Sequence, residues 1–521
     1  QPILIMNESG RYNDLSPYSG MNSMEARQAI LEDLEKKGLL LKKEPLHHTV
    51  NVHERCGTDI EYIATKQWFV KYLDLREKFL EAGALLQWYP HHMKVRYDNW
   101  IKGLNWDWCI SRQRHFGVPI PVWYDEKRVI ILPDENQLPV DPLKDKPKEY
   151  KGKVTPEKDV LDTWATSSMT PQLAIELFED EELKKKLFPM SLRPQAHDII
   201  TFWLFNTLVK SQLHYGINPW RDVVISGHAQ DPHGKKMSKS KGNVIEPQMM
   251  VDKYSADALR FWAAGSKLGD DLPFMEKDLM TGQKFITKLW NASKFSLMHL
   301  EDYQPAPVTE VFDQWLLSKL NKLIKECSES FDKYEYSRTK AEVENFFWHT
   351  FCDNYLEIVK DRLYNQDRRG AEARKSGQEA LYTSLLTIIK MMAPIMPHIT
   401  EEIYQLYFHE KENQNSIHIS AWPAANPKLI DEQAELAGDL GIDIIAAVRK
   451  YKSEQQVSLK EELSQLILVG NEAVSEEAEF VEMVKGIEDD LKAVLKVKQI
   501  AFSGDTSLET GQFAIKIGII K

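Results

Sequence analysis

The hydrophobic period changes along this chain, and that change limits the fold more than any other feature. Beyond Pro307 the apolar residues recur at helical spacing. Leu316, Leu320, Leu323, Ile324, Cys327 and Phe331 form one stripe, Phe347, Phe351, Tyr355, Ile358 and Val359 a second, and Leu381, Leu385, Ile388, Ile389 and Met392 a third. Three such helices in succession predict a bundle, because each must bury its stripe against the others. Before Pro307 the order differs. A helical pattern over 199–215 precedes the apolar run Val223, Val224 and Ile225, a Gly/Lys-rich turn follows, and a further helix is predicted over 247–262. Strand, loop and helix in that order belong to an α/β nucleotide-binding sheet. After about Leu440, helices surround apolar runs at 466–469, 499–502 and 513–517, which predicts a small α+β appendage.

Smaller signals fill in the rest. Gly38 closes a predicted helix over 24–37. The stretch 118–124 reads as a strand whose prolines, Pro119 and Pro121, confine it to a sheet edge or a strand end. The polar stretch 133–156 reads as a surface loop. At 521 residues the chain needs several domains, and it has no apolar run near the roughly 20 residues that cross a bilayer, so no membrane partner is expected. Cys56, Cys109, Cys327 and Cys352 lie far apart with no C-x-x-C pair, which excludes a disulfide scaffold or a local four-thiolate zinc site and points to a reducing cytoplasm. A net charge of -12 argues against a surface that is basic throughout, although a focused patch can still meet phosphate.

The chemistry concentrates between Gly234 and Asn243. Lys235, Lys236, Lys239 and Lys241 crowd seven residues with two serines between glycines, and their mutual repulsion is relieved by an anionic ligand. A nucleoside triphosphate supplies that charge, and a mobile lysine loop can stabilise the charge that builds on a departing pyrophosphate. A solvated lysine cluster or a nucleic-acid patch is the other reading of the spacing. The run from Lys360 to Lys375 holds six basic residues, Lys360, Arg362, Arg368, Arg369, Arg374 and Lys375, against three acidic ones. It suits either phosphate contact or a solvated loop.

Lys236-Met237-Ser238-Lys239-Ser240 matches the KMSKS signature of the class I aminoacyl-tRNA synthetases, between a strand and a helix. Asp107 to Arg114 and Gly117 to Trp123 resemble the segment by which the valine, isoleucine and leucine members re-enter their catalytic domain after the editing insertion. Asp159 to Trp164 followed by Ser167-Ser168, and His197 to Trp203, look most like the valine-specific members of that trio. Phe346 to Trp348, Cys352 to Glu357 and Met392 to Glu402 are similar to the group's helical anticodon-binding domain.

The resemblance implies a fold, a reaction and roles. The fold is α/β plus all-α: a remnant of the editing domain at 1–62, the carboxyl-terminal half of a Rossmann-type catalytic domain with the stem-contact region at 63–295, a helical anticodon-binding bundle at 296–438, and the α+β appendage at 439–521. The reaction joins valine to ATP as valyl-adenylate and passes the acyl group to the tRNA for valine. Lys236 and Lys239 would act on the triphosphate as the catalytic pair, Ser238 and Ser240 would position their loop, and Asp198 would hold the ribose of ATP. Trp164, Ile199 and Trp203 would wall the valine pocket. A tryptophan at helical spacing is core more often than pocket, so Trp203 rests on its motif. His197, a possible cap or core residue, takes no catalytic role.

Mg2+ would accompany ATP, and no zinc is expected because Asp125-Glu126-Lys127-Arg128 stands where some relatives carry cysteine knuckles. A monomer is expected. The HIGH tetrapeptide, the group's other ATP signature, occurs nowhere in the 521 residues, and the editing domain is represented only by its final portion. The resemblance therefore implies an amino-terminally shortened chain that is inactive alone in aminoacylation and editing. Two other readings are a non-catalytic tRNA-binding paralogue and an isoleucine-specific member.

Overall fold

The computed structural model describes residues 3–53, 57–61, 63–470, 477–503, 506, 508–509 and 516–520. Cys56, part of the run at 513–517 and the side chain of Ser240 lie outside the described residues. The amino-terminal half is built on a parallel sheet of β1 (Gln87–Tyr89), β2 (Met190–Ala196) and β3 (Trp220–Ser226), with β3 in the centre. Val223 pairs with Trp88 on one side and with Arg193 on the other. Val223 and Ile225 share one face of this central strand and are fully buried, while Val224 on the opposite face is half-buried, so the three read as a continuous apolar run. The helix Phe205–His214 joins β2 to β3 and packs Phe205, Leu208 and Val209 into the same core.

Two expectations for this half need correction. The helix predicted over 247–262 is two helices, Pro247–Tyr254 and Ala256–Ala263. Ser255 breaks it at φ 90°, where its hydroxyl accepts from the Ala258 N–H and starts the second helix. The stretch 118–124 contributes only Trp123–Tyr124 as a strand, and that strand is the middle of its small antiparallel sheet, between Ile130–Ile131 and Thr155–Pro156. The prolines precede it and so cost no ladder hydrogen bond. Near the start, the helix Ser23–Lys36 forms as expected, opened by a reciprocal cap between Asn22 and Glu25 and closed by Gly38 at φ 66°.

The helical half contains the three expected helices, Val311–Asp332, Leu356–Tyr364 extended backwards by a wide turn over Phe346–Tyr355, and Ala371–Met392. One apolar core runs without interruption from Phe261 through this bundle to Leu491 and Ile517 of the appendage. Two long helices carry it across the expected divisions. Glu276–Met298 spans position 295 and Glu432–Glu454 spans position 438. The appendage sheet orders Val497–Ala501, Leu463–Val469, Lys516–Ile520 and Leu508–Glu509, backed by the helix Glu477–Leu495. The segment from Pro394 to Ile399 ties the two halves together. Asp257 accepts the His398 and Ile399 N–H groups, and Arg260 donates to the carbonyls of Pro394 and Ile395.

The basic run from Lys360 to Lys375 is neither a loop nor a free cationic face. It lies on helices, and each of its six cations meets a carboxylate: Lys360 with Glu357, Arg362 with Asp313, Arg368 with Asp361, Arg369 with Asp490, Arg374 with Asp302 and Lys375 with Glu372. Arg362 and Arg369 are buried, so their charges serve the interior.

Close approach of the helices Val311–Asp332 and Glu432–Glu454 depends on glycine. A Cβ on Gly438 would come to 2.3 Å from the buried Trp315 ring, whose Nε1 donates to Asp439. Gly438→Ala gains at most about 1 kcal/mol of helix propensity. Forcing a methyl into a filled core costs about 1–3 kcal/mol. Net destabilisation is therefore expected as a lower midpoint in chemical denaturation, and an unchanged midpoint would show that Trp315 can swing aside.

Candidate active site

In open α/β sheets, ligands gather outside the carboxyl ends of the strands. Here β2 ends at Ala196 and runs directly into His197 and Asp198, while β3 ends at Ser226 and runs into Gly227 and His228. The two ends are neighbours because Ser226 pairs with Ala196. The lysine loop follows β3, and it folds back so that Lys236 Nζ lies 3.2 Å from Asp198 Oδ2, across 38 residues of sequence. Two residues expected to share a nucleotide are thus brought together from different elements.

The loop is held from below. Asp231 is buried and accepts from the Lys235 N–H at 2.8 Å, the His233 N–H at 2.9 Å and Asn243 Nδ2 at 2.9 Å. The Asn243 contact and those N–H groups keep its carboxyl below the usual range. Asn243 Oδ1 in turn accepts the Ser238 N–H at 2.9 Å. Asp231 and Asn243 therefore close the two ends of the loop on each other. Sequence reasoning missed both, although Asp231-Pro232-His233-Gly234 is a turn signature that marks Asp231 as a local acceptor. Lys239 opens a short turn, is exposed, and has no ion-pair partner among the described residues.

A second missed cluster surrounds Asp198. Asp271 Oδ1 lies 3.0 Å from His197 Nε2 and accepts the His228 N–H at 2.8 Å, and Asp271 Oδ2 accepts from Gln230 Nε2 at 2.8 Å. The His228 N–H, followed by His197, holds the Asp271 carboxyl below its usual range. Arg96 Nη1 is 3.2 Å from His197 Nδ1. No spacing signal joins these residues, since Asp271 sits 43 positions beyond His228.

The expected pocket walls are placed as follows. The Trp164 ring stacks on Phe202, with centroids 5.5 Å apart. It lines a cavity of about 500 Å³ shared with Trp100, Trp106, Trp108 and Phe202, beside the Arg112–Asp162 ion pair. Trp203 Nε1 donates to the Ser167 carbonyl at 3.1 Å, which ties the wide helical turn Ile200–Leu204 to the helix Thr163–Ser167. Ile199 is half-buried at the start of that turn. Neither Ile199 nor Trp203 lines the cavity of Trp164. The Arg193 guanidinium lies over the Trp203 ring and 5.0 Å from the Trp220 centroid, and burial pulls its pKa down to about 9.

Among the described residues no group of three or more His, Cys, Asp or Glu side chains is placed to hold a metal ion, and no helix is long and apolar enough to cross a membrane.

Comparison with known proteins bears on the same residues. The chain is 40% identical over 519 residues to the valine–tRNA ligase of Wolbachia sp. subsp. Brugia malayi, covering 96% of this chain and 59% of that one. It is 42% identical over 506 residues to the valine–tRNA ligase of Rickettsia prowazekii, covering 93% and 60%. It thus spans about three fifths of the length of these curated relatives. The methionyl-tRNA synthetase of Mycobacterium tuberculosis, solved with methionyl-adenylate, shares the fold at a TM-score of 0.54 and 17% identity, over 68% of this chain and 66% of that one. Residues 313–467 match the family described as the anticodon-binding domain of tRNA ligase. Residues 10–275, which include both strand ends and the lysine loop, match the family described as class I tRNA synthetases (I, L, M and V), and it is to this family that the chain belongs.

Proposed function

We propose that the complete gene product is a valine–tRNA ligase and that this chain carries its lysine loop, part of its valine pocket and its anticodon-binding bundle. The observation that carries the reading is the meeting of Lys236 and Asp198 at adjoining ends of parallel strands, supported by 40% identity to valine–tRNA ligases over nearly the whole chain. In the first step a valine carboxylate oxygen attacks the α-phosphorus of ATP, the bond to the bridging oxygen breaks, and pyrophosphate leaves. Asp198 accepts from the ribose hydroxyls, a charge-assisted contact that fixes the nucleotide. Lys236 and Lys239 meet the growing charge on the departing phosphates, and the fixed loop geometry means little reorganisation is needed then. Trp164 walls the apolar cavity for the side chain, while Trp203, bonded to the Ser167 carbonyl, and Ile199 hold the turn behind it. In the second step a ribose hydroxyl at the tRNA 3′ end attacks the adenylate carbonyl and AMP leaves.

Among the described residues, those at the site do not fit a protein-held Mg2+ centre. Asp198 is taken by Lys236, and Asp271 by His197, His228 and Gln230. Mg2+ enters on this reading as a partner of the ATP phosphates, as is usual for an ion that dehydrates reluctantly. Free thiols at Cys109, Cys327 and Cys352 fit a reducing compartment, the cytoplasm.

The test is amino-acid-dependent ATP–pyrophosphate exchange by the complete gene product. Exchange driven by valine is expected. Exchange driven by isoleucine would make it the isoleucine-specific member, and tRNA binding without exchange would make it a non-catalytic relative.

A further inference from the structure

His228 occupies a position that a purely structural histidine would not need. It follows β3 by two residues, as Asp198 follows β2 by two, so the pair stands on two adjacent strand ends where open α/β sheets bind ligands. Its backbone is anchored by the N–H bond to Asp271. Gly227 makes that anchor possible, because a Cβ there would lie 2.0 Å from the Asp270 carbonyl oxygen, and only a bare backbone can cross so closely. The ring is braced edge-on against His197, with centroids 4.6 Å apart, and His197 is itself held by Asp271 and Arg96.

The base of the residue is therefore fixed while its tip is not satisfied. Among the described residues the His228 ring makes no hydrogen bond, and Nε2 stops 3.7 Å from Asp198 Oδ2. That gap is too long for a hydrogen bond, yet a hydroxyl oxygen set to one side can lie at about 2.8 Å from both groups. The side chains are 19% and 37% exposed, so the pair opens to solvent. A neutral imidazole both donates and accepts, which suits a hydroxyl that must give its proton to a carboxylate and still accept a bond.

We infer that His228 is a further binding residue for the ribose of ATP, set beside Asp198 to bond one of the two hydroxyls, with Asp271 as the positioning residue that holds it there. The inference rests on the reading of Asp198 as the ribose-binding acid. No contact with the transferred phosphate is involved, so substitution changes nucleotide affinity and leaves turnover at saturation nearly intact.

The test uses the complete gene product as wild type, His228→Leu and His228→Gln, with ATP, 2′-deoxy-ATP and 3′-deoxy-ATP. In valine-dependent exchange, His228→Leu is expected to raise the KM for ATP about tenfold, the worth of one hydrogen bond to a polar ligand. The KM for valine should stay within about twofold, and the preference for ATP over one of the deoxy analogues should shrink by the same factor. Gln, which can also donate and accept, should recover most of the loss. An unchanged KM for ATP, equal losses toward ATP and both analogues, or a glutamine variant no better than leucine would overturn the assignment. Calorimetric titration of ATP and the analogues into the same proteins separates this from the synthetase reading. Wild type without valine-dependent exchange refutes that reading, while ATP binding about tenfold weaker in His228→Leu still supports His228 and equal binding still overturns it.

Discussion

Replacing Lys239 by alanine in the complete gene product is expected to slow valine-dependent ATP–pyrophosphate exchange by about 10²–10³-fold, the usual cost of removing one preorganised group from a site of developing charge. Lys236 and Lys239 differ in one respect that decides which to remove. Lys236 is paired with Asp198, so part of its charge is already spent on the protein, whereas Lys239 is exposed and has no ion-pair partner among the described residues. The loss should fall on kcat with a smaller change in the KM for valine, because the lysine acts on charge that appears only in the transition state. Equal losses in rate and binding would mean that the loop chiefly binds ATP, and an unchanged rate would remove Lys239 from the mechanism.

Arg362→Ala should be the most destabilising single change in the helical half, by about 3–5 kcal/mol, as expected when one partner of a buried ion pair is removed. Arg362 is fully buried and donates to both oxygens of the fully buried Asp313, at 2.5 and 2.7 Å. Its Nε lies 3.3 Å from Asp490, which Arg369 also contacts at 2.8 Å. Tyr355 and Ser376 donate the remaining bonds to Asp313. Burial opposes the charge on Arg362, but Asp313 and Asp490 overcome it and raise its pKa well above the ordinary value. Burial likewise pushes the Asp490 carboxyl up, so the acid depends on its arginines to stay ionised. Alanine would strip Asp313 of its only ion-pair partner among the described residues and leave Asp490 with Arg369 alone. Chemical denaturation measures the loss, and a change below about 1 kcal/mol would show that water or Arg369 takes over the site.

Legibility in the sequence followed the strength of the periodic signal. Val223 to Ile225 and the stripe from Leu316 to Cys327 were readable because burial on all or one side leaves a run or a period in the letters. The helix Glu432–Glu454 belongs to the bundle as much as to the appendage, yet its buried face opens with the small residues Ala434, Ala437 and Gly438, and its large aliphatics start only at Leu440, so the hydrophobic signal begins late. The break at Ser255 was invisible, since one serine at positive φ leaves no trace in composition. At the site, the lysine loop and Asp198 were found through their motifs. His228 and Asp271 were missed because their link runs through space between two loops, and the run from Lys360 to Lys375 reads as cationic because a count within it leaves out Glu357 just before it and the distant Asp302, Asp313 and Asp490.

The uninterrupted core from the bundle into the appendage has a consequence for synthesis on the ribosome. Phe312 packs near Gly441 and Ile487, and Asp313 is bound to Arg362, which reaches Asp490. The first helix of the bundle therefore emerges roughly 180 residues before its last partner does. At ordinary elongation rates of about 5–20 residues per second, that is a wait on the order of ten to thirty-five seconds. Trp315 waits for Gly438 through most of that interval and Phe312 waits for Ile487 until nearly its end, while Asp313, once Arg362 has emerged, has its arginine but not the second acid that completes the network. This half of the polypeptide is thus a late-closing unit whose nascent form leaves part of its apolar core uncovered until translation has passed Asp490.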